Sequence, residues 1–300
     1  MPRIAILLTV FNGRTWLQQQ LESILSQVGV RVHVFISVDV STDGSEAFVD
    51  NLAIADLRLT ILPHGRKFGE AASNFFRLLN EVSFDDFDYI GFADQDDIWL
   101  PDKLNQAHLK LTETGADGYA SDITAFWPSR RRVLIKKSQP QKEWDFLFQS
   151  GGAGCTIVMS SSLACAIQAY VREHRDEIKK VWLHDWFCYA FARAKGYKWF
   201  IHDYSSMMYR QHVDNQVGAN SGWRAILHRA RKVVNGWGFR QSIIMARTMG
   251  LENNPFVKRW VNGQRTGLIY LAFKAHSCRR CFRDQIFFSL SCLILAVTGI

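Results

Sequence analysis

Short apolar runs rich in β-branched residues alternate with stretches of helical spacing over the first third of the chain. Ile4 to Val10, Val32 to Val38, Leu59 to Leu62 and Tyr89 to Ala93 have the length and composition of buried strands. Between them, Trp16 to Gln27, Glu46 to Leu52 and Ala72 to Val82 repeat apolar side chains every three to four residues, as an amphipathic helix does. This alternation predicts right-handed βαβ units and an α/β fold with a Rossmann-like, mostly parallel sheet flanked by helices. Ligands of such sheets bind at the carboxyl ends of the strands. The polar segments Thr9 to Arg14, Asp39 to Ser45 and Asp94 to Asp97 fall at those ends.

Further along, Pro101 suits a first helical turn and opens a helix through Leu111. Gly118 to Phe126 predicts a strand, and Arg130 to Gln141 a loop or hairpin. Gly151-Gly152-Ala153-Gly154-Cys155 leads into a strand over Thr156 to Met159, followed by a helix from Ser162 to Glu177 and another from about Asp185 to Lys195. Beyond Gly222 only helices are predicted. Trp223, Ile226, Leu227, Ala230 and Val234 share one face, while Arg224, His228, Arg229, Arg231 and Lys232 share the other. Ile286 to Ile300 is almost wholly apolar but shorter than the roughly 20 residues a spanning helix needs. It is expected to lie in a membrane interface, with a core helix as the alternative. The chain therefore divides into an α/β domain over residues 1–220 and a helical, basic appendage over 221–300.

Charge sharpens that division. Thirteen Lys and Arg against two acids between Ser221 and Asp284 give +11 there, so the net +8 of the chain leaves about −3 for the rest. Basic, amphipathic helices with apolar anchors predict an anionic membrane surface as a partner and no nucleic acid. The six cysteines are scattered, which favours reduced thiols in a cytoplasmic protein, peripheral at the inner face of the membrane. The pair Cys278 and Cys281 lacks two further ligands at zinc spacing. Met1 to Val10 is too short in its apolar run for a signal peptide and reads as the first strand.

Asp94-Gln95-Asp96-Asp97 puts three carboxylates directly after a buried strand. That much like charge is costly without a cation, and hard oxygen ligands favour Mg²⁺ or Mn²⁺ held together with substrate phosphates. The plainer alternative is a solvated acidic turn with Asp97 or Asp102 capping the next helix. In Asp39-Val40-Ser41-Thr42-Asp43-Gly44-Ser45, Asp43 and Ser45 read as turn and cap residues, and Asp39 as a group able to accept hydrogen bonds from a base or ribose.

These segments together resemble a family 2 glycosyltransferase of the GT-A fold, in its bacterial rhamnosyltransferase-like branch. The matching pieces are Thr9-Val10-Phe11-Asn12-Gly13, Ser41 to Ser45, Phe92-Ala93-Asp94-Gln95-Asp96-Asp97-Ile98-Trp99, Gly154-Cys155-Thr156, His184-Asp185-Trp186, and Tyr209-Arg210-Gln211-His212 with Asn215. They span roughly residues 4 to 216 in order. One departure is Val38-Asp39-Val40-Ser41, where the family usually has Asp-Asp-Gly-Ser.

The resemblance implies an inverting transfer of a sugar from a nucleotide diphosphate donor to an acceptor hydroxyl. Thr9, Phe11, Asn12, Asp39, Asp94, Gln95 and Arg210 would bind the nucleotide sugar. Asp96, Asp94 and His212 would hold the Mn²⁺ or Mg²⁺ that neutralises the leaving diphosphate. Asp97 would lie behind the metal or cap a helix. Asp185 would be the general base for the acceptor hydroxyl. An ordinary carboxylate in a first helical turn, favoured by the helix dipole, is the alternative for Asp185. The resemblance suggests dTDP-rhamnose as donor and a saccharide or lipid-linked saccharide as acceptor, in cell-surface polysaccharide synthesis. Two other readings remain: a nucleotidyltransferase, which would be expected to carry a basic Gly-rich loop near the N-terminus, and a basic membrane- or RNA-binding protein on a Rossmann-like scaffold.

Overall fold

The computed structural model describes residues 1–212 and 236–299. The basic amphipathic helix expected over Trp223 to Val234, and Asn215, lie outside the described residues. Strands β1 (Arg3–Val10), β2 (Arg31–Val38), β3 (Leu59–Ile61) and β4 (Tyr89–Ala93) form the expected parallel half of the sheet, in the order β3-β2-β1-β4. Helices α1 (Arg14–Leu25), α2 (Ser45–Ala55) and α3 (Ala71–Glu81) connect them. Ile4, Ile6, Leu8 and Val10 of β1 enter a layer with Leu17, Leu21 and Ile24 of α1. Ala5 and Leu7 enter the opposite layer with Phe75, Leu78 and Leu79 of α3. Covering both faces is why this strand reads as an unbroken apolar run instead of an alternating one.

The other half of the sheet is mixed. β5 (Ile98–Trp99), α4 (Lys103–Thr114), β6 (Gly118–Phe126) and β7 (Arg132–Ile135) come next, so the basic stretch after Arg130 forms a hairpin strand on β6. β8 (Val158–Ser160) lies antiparallel between β4 and β6. The long helix expected from Ser162 is split at His174 into α5 (Ser161–Glu173) and the one-turn α6 (Arg175–Ile178), and α7 (His184–Ala194) follows. The twelve-residue strand β9 (Trp199–Arg210) pairs parallel with β6 and antiparallel with β5, and the apolar pattern does not announce it. Its register against β6 slips twice, near Ser121 and Asp122, and such bulges break the period-two alternation that marks a strand in sequence. Its last residue delivers Arg210 beside the acidic segment after β4.

Beyond residue 235 the described chain is helical, with Trp237–Thr248, Arg265–Phe273 and Phe282–Thr298 as its main helices. Phe239, Met245, Val257, Trp260, Leu268, Leu271, Cys278 and Leu295 join the same core as α3, α5 and α7. Trp144 stacks on Phe256 with ring centroids 4.6 Å apart, and Phe148 meets both Trp260 and Phe288. These helices are packed into the catalytic core on one side. On the other they present Phe273, Phe282, Phe287, Leu290 and Val297 to solvent. Among the described residues no helix is long and apolar enough to cross a membrane.

Candidate active site

The chain leaves β1 through a turn that sequence chemistry fixes closely. Asn12 takes a left-handed backbone conformation (φ 47°), which asparagine tolerates better than most residues. Phe11 and Gln95 pair reciprocally: the Phe11 N–H donates to Gln95 Oε1 at 2.8 Å, and Gln95 Nε2 donates to the Phe11 carbonyl at 2.9 Å. A Cβ on Gly13 would lie 2.2 Å from Gln95 Oε1, so a side chain there would break this pairing. Asp43 accepts from the Arg14 and Ser45 amides and the Ser45 hydroxyl, and Ser45 Oγ accepts from the Gly13 amide. The loops after β1 and β2 are thereby locked together. Asn12 Oδ1 completes the lock by accepting from the Thr42 amide at 2.8 Å.

The acidic segment after β4 lies on the floor beside this turn. Asp97 is fully buried; one oxygen accepts the Arg210 amide at 3.1 Å. Burial, reinforced by Asp96 and Asp94, raises its carboxyl well above the ordinary range. Burial, Asp96 and Asp185 likewise push Asp94 up to about 7. The ligand atoms of Asp94, Asp97 and Cys155 all lie within 4.8 Å of one another. Asp96 faces the other way: its Oδ2 is 2.7 Å from His212 Nε2. Arg210 clasps the segment through its Nε, which donates to the Asp96 carbonyl at 2.8 Å, and its guanidinium lies between the Trp16 and Phe126 rings. Beneath, Lys103 is buried with Nζ 3.6 Å from the Trp99 ring centroid, and burial lowers it to about 8 despite the attraction of Cys155 and Asp97.

Asp185 stands opposite, in the first turn of α7, and is 9% exposed. Burial raises its pKa, while the Trp186 amide, the Ser150 hydroxyl and Lys137 counter that. A carboxylate raised in this way holds a proton more tightly than an exposed one, which suits a base. Its neighbour His184 serves the core instead. The imidazole stacks on Phe75 at 3.8 Å, and burial pushes it down to about 3. A Cβ on Gly154 would meet His184 Nε2 at 3.1 Å and Asp185 Cβ at 3.4 Å, so the glycine-rich segment before β8 passes directly under the start of α7.

The structure thus pairs Phe11 with Gln95, joins Asn12 to the loop after β2, sets Arg210 and His212 against Asp96, and brings Asp185 near enough to Asp94 for their charges to interact, with Thr9 buried at the end of β1. Asp39 is also engaged by the backbone. Its carboxylate accepts the amides of Val40, Phe68 and Gly69 and so ties down the chain before α3. Gln20 and Lys103 were not legible as site residues. Gln20 sits fully buried among Leu17, Leu21 and Ile24 and donates to the Asp94 carbonyl at 2.9 Å; a glutamine on the apolar face of α1 was the available signal.

The sequence pattern of Glycosyl transferase family 2 matches residues 5–218. This chain is a family 2 glycosyltransferase. It is 35% identical, over 96% of its own length and 99% of the relative's, to the dTDP-rhamnosyl transferase RfbG of Shigella flexneri. An uncharacterized glycosyltransferase of Haemophilus influenzae is 31% identical over 37% of this chain and 46% of its own. Among solved structures, S. aureus TarS 1–349 in complex with UDP superposes with a TM-score of 0.56 at 12% identity, covering 99% of this chain and 89% of TarS. The mannosyltransferase PcManGT from Pyrobaculum calidifontis, in complex with GDP-Man and Mn²⁺, superposes at 0.53 and 14% identity, covering 99% of this chain and 87% of its own. The glycosyltransferase therefore has the GT-A fold and is a rhamnosyltransferase-like hexosyltransferase. Membership decides against the nucleotidyltransferase and the non-enzymatic binding protein.

Proposed function

We propose that this glycosyltransferase moves rhamnose from dTDP-rhamnose to a hydroxyl of a saccharide or lipid-linked saccharide, inverting the anomeric centre. The observation that carries the reading is that Asp185, in the first turn of α7, lies close enough to the strand-end carboxylates for its charge to act on Asp94. A donor held over the acidic segment would present its anomeric carbon to an acceptor hydroxyl approaching from the Asp185 side. One positioned base and a stabilised leaving group suffice for direct displacement. The nucleotide sugar follows from the relation to the dTDP-rhamnosyl transferase RfbG.

Asp94, Asp96 and His212 would be the ligands of a divalent cation, carboxylates and an imidazole being of the kind Mn²⁺ takes, with Mg²⁺ served by the carboxylates. Asp94 now lies with Asp97 and Cys155 and Asp96 with His212, so binding would turn Asp96 toward Asp94. The cation, when bound, neutralises charge on the leaving diphosphate. Arg210 holds the Asp96 main chain in place, and the Phe11–Gln95 pair fixes the turn over which a nucleotide would lie. Calorimetric titration of dTDP-rhamnose in Mn²⁺ tests this. Asp96→Ala should abolish metal-dependent donor binding while the protein stays folded. Unchanged affinity in that variant would remove Asp96 from the metal site.

The reading also places the enzyme at the inner face of a membrane, as an acceptor carried on lipid requires. Supporting it are the exposed apolar side chains of helix Phe282–Thr298 and a local excess of seven Lys and Arg over one acid between residues 257 and 299.

A further inference from the structure

Asp185, Tyr189 and Arg193 are spaced four apart and so share one face of α7. The lower two of these are fastened to Asp145, a carboxylate with no exposure to solvent. The Tyr189 hydroxyl donates to Asp145 Oδ1 at 2.9 Å, and Arg193 Nη1 donates to the same oxygen at 3.1 Å. The second oxygen of Asp145 faces Arg280, whose Nε lies 3.6 Å from it. Arg280 is itself 8% exposed, and its carbon Cζ lies 5.8 Å from the Tyr189 ring centroid. Its Nη2 donates to the Ser150 carbonyl at 2.6 Å, and the Ser150 hydroxyl donates to the Gly152 carbonyl at 2.9 Å, which braces the glycine-rich segment whose Gly154 passes against His184 and Asp185. One guanidinium from the C-terminal helices therefore lies against both the carboxylate that anchors α7 and the loop that leads under Asp185.

A buried ion cluster is a costly way to gain stability alone, because desolvation offsets much of the attraction. It does fix geometry. We propose that Arg280 is a positioning residue for catalysis, setting the orientation of Asp185 through Asp145 and Ser150 and making the C-terminal helices part of the catalytic apparatus. The inference rests on Asp185 being the general base. Removing the guanidinium leaves Asp145 held only from α7 and the Ser150 carbonyl without its donor, so the carboxylate can shift within the cleft. A displacement of about 1 Å at a reacting group costs on the order of 10²-fold in rate.

The test is a double-mutant cycle on the full chain with Arg280→Ala and Asp185→Asn, reading kcat for transfer from dTDP-rhamnose and donor affinity in Mn²⁺. Arg280→Ala should lower kcat by about 10- to 10²-fold with donor affinity within about twofold. In the Asp185→Asn background the same substitution should cost less than about twofold, because orienting an absent base has no effect. Arg280→Lys, which keeps a cation beside Asp145, should recover part of the rate and serves as the folded variant if alanine unfolds the protein. An equal cost of Arg280→Ala with and without Asp185, or full turnover of both Arg280 variants, overturns the inference. Full turnover of Asp185→Asn alone overturns the assignment of the base, and this inference with it.

Discussion

His184 and Asp185 stand side by side in a motif that points to function, yet burial gives them different work. His184 is stacked on Phe75 in the core, and Asp185 lies near enough to Asp94 for their charges to interact. The difference has a measurable consequence. The His184 value is depressed from 6.5 to about 3, so between these values the unfolded chain binds a proton that the folded one does not. Stability is therefore lost as pH falls below 6.5, by about 2 kcal/mol between pH 7 and pH 5 for this group alone. Urea unfolding at the two pH values should show that much less acid sensitivity in His184→Leu than in the parent. Equal pH dependence would mean that the imidazole is not buried neutral. Asp39 adds a structural part that its type and strand-end position do not announce: it accepts three backbone amides, and only the tertiary path of residues 68 and 69 reveals this.

Among the elements, those with uniform periodicity were legible and those bent for function were not. β1 to β4 and α1 to α3 repeat a single pattern from end to end, whereas β9 slips twice in register against β6 before its last residue, Arg210, reaches Asp96. Helix Phe282–Thr298 is a further case, since its apolar content fits a core helix or an interfacial one. Three of its residues, Cys292, Leu295 and Ala296, are buried, while Phe282, Ile286, Phe287, Leu290, Leu293, Ile294 and Val297 are exposed. Phe287→Glu with Val297→Glu alters only exposed positions, so the protein should keep its melting temperature and its donor affinity. It should lose flotation with anionic liposomes, because both the apolar contact and the favourable charge are reduced. Flotation equal to the parent's would exclude this face as the docking surface.

For the molecule as a whole, the change of composition after Gly222 suggests an appendage, and its described helices share a core with the α/β domain. Trp260, Phe256 and Phe239 fill the core beneath α5 and α7, and Arg280 meets a carboxylate in the catalytic half. A chain ending near residue 235 would expose Trp144 and Phe148 and leave Asp145 short of one partner, so it should be poorly soluble or melt well below the full protein. A truncated chain with the full protein's melting temperature and donor affinity would show that the two parts are energetically separate. The central claim concerns Asp185 as the base, and the rate of sugar transfer from dTDP-rhamnose by Asp185→Asn, set beside its donor affinity in Mn²⁺, tests it most directly. The account predicts a loss of about 10²–10⁴-fold in transfer with donor binding intact, and an inverted product from the parent enzyme by NMR. Near-normal transfer by Asp185→Asn, or a product retaining the donor's anomeric configuration, would contradict it.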